Sequence, residues 1–112
     1  MRIEKLLDAL RSVMSKDRCI ELSYLPRKKE VVARIDLDEG INDGELLAIY
    51  GIMKDMGFSG FWINSGECDI LEDKYTAPEI DFHAREEDVD PSLVKFLRER
   101  GGRFTICKLG KG

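Results

Sequence analysis

Nothing in this chain has the length and apolarity of a bilayer span. The longest stretch without a charged side chain, Met56 to Gly66, is far shorter than the ~20 apolar residues a membrane helix needs. Gly57 and Gly60 interrupt it as well. A secretory signal is not expected either, because Arg2, Glu4, Lys5, Asp8 and Arg11 break up any apolar core near the start. These absences point to a cytoplasmic location with no membrane contact. Cysteine is scarce: Cys19, Cys68 and Cys107 are odd in number, far apart and free of the C-x-x-C spacing that metal and redox sites use. They are expected as reduced, mostly buried thiols.

Catalytic signatures are missing too. Gly57-Phe58-Ser59-Gly60 lacks the spacing of a nucleophile elbow. Leu109-Gly110-Lys111-Gly112 has neither the leading glycine nor the hydroxyl residue of a phosphate-binding loop. The acids Asp36, Asp38, Glu39, Asp43 and Glu45 suggest a calcium loop until they are counted. From Asp36, the fifth, sixth and twelfth positions are Gly40, Ile41 and Leu47, where an EF-hand needs an oxygen ligand, a glycine and a glutamate.

What is present suits one domain with a single core: 112 residues, 43% hydrophobic and 36% charged. The net charge of -4 conceals a segregation. Residues 1–34 hold nine Lys/Arg and five Asp/Glu (+4), residues 35–90 three and sixteen (-13), and residues 91–112 six and one (+5). Such blocks are met either by internal complementarity after folding or by a bipolar surface that steers a charged partner.

Residues 2–15 place Ile3, Leu6, Leu7, Leu10, Val13 and Met14 at spacings of three and four, which predicts an amphipathic helix. Ile20, Leu22 and Tyr24 alternate with polar Glu21 and Ser23, and Val31, Ala33, Ile35 and Leu37 alternate with Val32, Arg34, Asp36 and Asp38, so a hairpin is expected with Arg27, Lys28 and Lys29 at its tip. The best-specified stretch runs from Ile41 to Asn64. Asn42 and Glu45 have the spacing of a capping box, and Ile41 and Leu46 that of a hydrophobic staple. Gly57 terminates the helix. Phe58, Phe61, Trp62 and Ile63 follow without alternation, which predicts a strand interior to its sheet. A second hairpin is expected from 67–72 and 79–85, then a helix opened by Asp90-Pro91 and closed by Gly101-Gly102, then a last strand over 104–109.

The chain thus reads as a single α+β domain over 1–112. It comprises an N-terminal amphipathic helix in 1–17, one β-β-α-β unit in 18–65, a second in 66–109 and a flexible tail in 110–112. Two such units predict a ferredoxin-like sheet with its helices packed on one face.

The single histidine, His83, is the natural centre for chemistry. Pairing Glu72 with Pro78 would set Glu67 opposite His83 and Asp69 opposite Asp81. Glu67, Asp69, Asp81 and His83 would then share a face able to bind a divalent metal or support a general base; a solvated polar face explains the same residues. Cys68 would lie opposite Phe82 on the other face, beyond reach of His83. Arg27, Lys28 and Lys29 are candidate contacts to an anionic partner if folding adds Lys95, Arg98, Arg100, Arg103, Lys108 and Lys111 to them. Phe61, Trp62 and Phe104 are assigned to the core rather than to base stacking. The functional expectation is a small non-enzymatic binding or interaction module without a cofactor, acting on a protein partner, on itself as a homodimer, or on a small ligand at an interface. The alternatives are a metal-assisted or acid/base enzyme centred on His83, and nucleic-acid binding through the basic terminal segments.

Overall fold

Short-range signals fix the ends of the helices. The computed structural model describes residues 2–38 and 40–109, with the backbone alone for Arg2, Glu67, Asp69 and residues 74–76. Glu39 and the expected tail at 110–112 lie outside the described residues. The elements are α1 (Arg2–Val13), β1 (Cys19–Leu25), β2 (Glu30–Asp36), α2 (Asp43–Asp55), β3 (Gly60–Asn64), β4 (Glu67–Asp69), β5 (Lys74–Thr76), β6 (Glu79–Arg85), a 3₁₀ turn (Glu86–Asp88), α3 (Pro91–Arg98) and β7 (Arg103–Cys107).

At the head of α2 the Asn42 side chain accepts the Glu45 N–H at 2.8 Å, while Ile41 and Leu46 pack on the core. At its end the Gly57 N–H donates to Lys54 and the Phe58 N–H to Met53, both at 3.0 Å, which is a Schellman motif. The exit of α3 repeats it: Gly101 donates to Arg98 and Gly102 to Leu97. Gly57 has a second constraint besides its positive φ of 108°. A Cβ there would stand 2.2 Å from the Asp88 carbonyl oxygen, so the α2–β3 turn is packed directly on the 3₁₀ turn. Asp90 caps α3 through the Ser92 N–H at 2.9 Å, ahead of Pro91.

Five strands form one antiparallel sheet in the order β3-β6-β2-β1-β7. Period-two alternation sends Ile20 and Leu22 of β1, Ala33 and Ile35 of β2, Ile80 and Phe82 of β6 and Ile106 of β7 to one face. There they meet Ile3, Leu7 and Leu10 of α1, Ile49 and Met53 of α2, and Leu93 and Leu97 of α3 in a single core. The sheet therefore has one helix-covered face and one open face. No helix among the described residues is long and apolar enough to cross a membrane.

The α+β architecture with helices on one face matches the sequence reading, and the arrangement of the strands departs from it. In two equivalent β-β-α-β units, β7 would stand to β6 as β3 stands to β2. Instead β2 and β3 run parallel on either side of β6, whereas β7 runs antiparallel to β6 with β2 and β1 between them. The second hairpin is also different. Strand β4 pairs with β5 in a two-stranded ribbon, and Glu67↔Thr76 keeps the count set by Asn64↔Glu79, so β3–β4 and β5–β6 are two halves of one long hairpin. Finally, β3 is an edge strand and not an interior one.

The cysteine expectation is overturned. Arg18 accepts from the Lys108 N–H, and Gly102 from the Tyr24 N–H, which makes Cys19↔Cys107 a non-hydrogen-bonded pair of the β1–β7 ladder. Cα atoms come closest at such pairs, here 4.1 Å, and the two cysteines form a disulfide. Cys68 is a free, exposed thiol in β4, opposite Tyr75 and not Phe82.

Candidate functional site

The open face of the sheet carries His83, as alternation along β6 requires. The neighbours of His83 differ from those expected: Val32 of β2 and Gly60 of β3 stand beside it in the ladder, and Asp81 stands between Arg34 and Trp62. Glu67 and Asp69 belong to the ribbon, opposite Thr76 and Lys74, because β4 pairs locally and β6 is already flanked on both sides. Their side chains lie outside the described ones. His83 Nδ1 is 3.5 Å from Glu30, and its ring meets Trp62 edge to face at 6.5 Å. Asp81 is buried and bonded to Arg34 at 2.9 Å, with Glu79 on the same guanidinium at 3.2 Å and Asn64 bridging the two acids. Hydrogen bonding to Asp81 raises the Arg34 pKa, so the pair is a fixed charge ladder. Among the described residues no three metal-ligating side chains come close enough to hold an ion.

The basic tip residues Arg27, Lys28 and Lys29 sit exposed at the β1–β2 turn. The α3–β7 turn with Arg100 and Arg103 lies at the same end, since Tyr24 bonds Gly102 and Ser23 pairs with Arg103. The acidic 3₁₀ turn is there too: the Glu86 N–H donates to the Lys29 carbonyl, and the Glu86 carboxylate accepts from the Tyr24 hydroxyl. That end of the molecule is mixed in sign.

An open groove of about 940 Å³ lies at the opposite end, between the α1 exit and the head of α2. Its floor is a buried ion pair. Arg18 donates to Glu45 at 3.1 Å, to the Asp36 carbonyl at 2.9 Å and to the Gly40 carbonyl at 2.5 Å. Glu45 also accepts the Ser15 N–H at 2.8 Å, so its side chain ties α1 to α2 in place of the reciprocal capping bond. Burial pushes the Glu45 carboxyl up, but hydrogen bonds from Arg18 and from the Ser15 N–H outweigh it and hold the carboxyl below its ordinary value. With these polar groups already matched, the groove floor is a structural clasp.

The composition of β3 predicts a core strand, but among the described residues it pairs with β6 on one side and with no strand on the other. The Glu86 N–H donates to Lys29 and the Leu37 N–H to Pro78, so even-numbered positions of β6 turn their backbone toward β2 and odd ones toward β3. Glu79, Asp81 and His83 stand opposite Asn64, Trp62 and Gly60. Those three β3 residues bond inward, and Phe61 and Ile63 direct N–H and C=O outward. The side chains are open as well: Trp62 and Ile63 are 67% and 62% exposed, and Phe61 is 37% exposed against Tyr50 and Phe82.

The opposite edge is guarded. Arg11 donates to the outward Cys107 carbonyl at 3.2 Å, Arg103 opens β7 and Lys108 follows it. Charge on or over an edge is the usual defence against stray strand pairing, and β3 carries none. The molecule is thus a small antiparallel α+β domain with Arg11 over one sheet edge and no charged residue in the strand at the other. No family model, curated protein or solved structure matches the chain.

Proposed function

We propose that this chain is a non-enzymatic binding module whose working surface is the outer edge of β3, to which a protein partner adds an extended strand. The observation that carries this reading is a charge-free edge strand with outward Phe61 and Ile63 backbone groups and exposed Trp62 and Ile63 side chains. In strand addition the main chain supplies the affinity and alternate side chains supply the selectivity. Phe61 and Ile63 would meet the partner on the helix-covered side, and Trp62 on the open side.

Ile63→Pro tests the edge. Proline is tolerated on an edge strand where its nitrogen faces outward, so this change removes one outward donor without touching the bonds to β6. A displayed library of random peptides, selected on the wild-type domain and counter-selected on Ile63→Pro, is expected to yield peptides with period-two alternation that bind only the former. Recovery of peptides that bind both equally, or of none, would remove the edge from consideration.

A further inference from the structure

We infer, resting on the edge reading above, that the added strand is basic: an extended segment of another protein in which Lys or Arg alternates with apolar residues. The sheet order converts the charge blocks of the sequence into a gradient across the molecule. β3, β6 and α2 all come from the acidic segment 35–90, whereas α1, β1, α3 and β7 come from the basic segments. The ion pairs Arg18–Glu45 and Arg34–Asp81 cross the boundary and leave the blocks on their own sides. Beside β3 the carboxylates outnumber the cations that pair with them. Asp55, Glu87 and Asp88 stand with Lys54 and Arg85 around the Gly57 turn that leads into the strand, and Glu79 and Asp81 share Arg34 near Asn64 where it leaves.

The two sides of β3 would select different residues. On the helix side, Phe61 with Tyr50 offers apolar contact. On the open side, the exposed Trp62 ring is a surface on which a guanidinium or ammonium group is attracted by the π-electrons. A second copy of this chain fits less well. Two-fold pairing of β3 with itself would bring two acidic halves together, and head-to-tail pairing would need the β7 edge that Arg11 occupies.

The test uses three fluorescein-labelled peptides of about nine residues, longer than a typical strand. Val and Ile alternate with Lys in the first, with Thr in the second and with Glu in the third. Binding is read by anisotropy against the wild type, Ile63→Pro and Ile63→Lys, the last placing a charge on the strand with its backbone intact. The Lys peptide is expected to bind at least about tenfold more tightly than the Glu peptide at low salt, with Thr between them, and the gap to close near about 1 M salt. Both variants are expected to lose binding. Equal affinities that both variants abolish would overturn the basic partner and leave the edge reading standing. No binding, or binding that neither variant affects, would overturn both. Concentration-dependent self-association of the chain alone, abolished by both variants, would make the occupant a second copy and overturn the inference.

Discussion

Arg18 is buried with its guanidinium shared among one carboxylate and two carbonyls, and among the described residues Glu45 is the carboxylate paired with it. Removing one member of such a pair strands the other, which costs roughly 3 kcal/mol or more, whereas replacing both by apolar residues is often close to neutral. Glu45→Gln is therefore expected to destabilise the domain by about 3 kcal/mol in urea unfolding near neutral pH, and Arg18→Met/Glu45→Leu by much less. The pH dependence has a definite sign. The folded-state pKa of Glu45 is depressed, so its contribution is complete above the unfolded carboxyl value near about 4.5 and is lost as pH falls through the folded value. The gap between wild type and Glu45→Gln should close on acidification; a gap that stays constant or widens would contradict the assignment.

Among the elements, β7 depends on contacts from far along the chain. Phe104 and Ile106 give it a share of the core, and the disulfide to Cys19 ties it to β1 across 88 residues of chain. A bridge over so long a loop contributes about 2–4 kcal/mol. Reduction, or Cys107→Ser, is expected to lower the unfolding midpoint by that amount and leave a folded domain. Dithiothreitol should affect wild type and Cys68→Ser alike and leave Cys107→Ser unchanged. The same contrast explains what the sequence revealed. Asn42, Gly57, Asp90-Pro91 and Gly101 act within a turn of themselves, so both helix starts and both Schellman exits were legible. The alternation placing His83 and Asp81 on the open face was legible as well. The partners of that face were not, because Glu67 and Asp69 pair within a local ribbon and β6 is claimed by β2 and β3. The open edge was missed for a related reason. An unalternating apolar run signals burial on both faces, and only the strand order reveals that among the described residues no strand lies beyond Phe61, Trp62 and Ile63.

At the scale of the whole molecule, folding joins the basic ends of the chain without making a basic surface. Arg27, Lys28 and Lys29 meet Arg100 and Arg103 at one end of the sheet, which is the condition for a phosphate-binding patch. The 3₁₀ turn lies between them and the β3 edge, with Glu87 and Asp88 bonded to Arg85 and Glu86 bonded to Tyr24. Carboxylates at the same end of the sheet offset part of the attraction that these five cations would exert on a polyanion, since charges within a Debye length of about 8 Å act together. The wild-type domain is therefore expected to pass through heparin at low salt. Glu87→Gln/Asp88→Asn removes two of the acids and spares the Tyr24–Glu86 bond, so this variant should be retained and then eluted by moderate salt. Retention of the wild type itself would show that the acids fail to shield the tip. Flow-through of both proteins would show that the cations are too dispersed to act together.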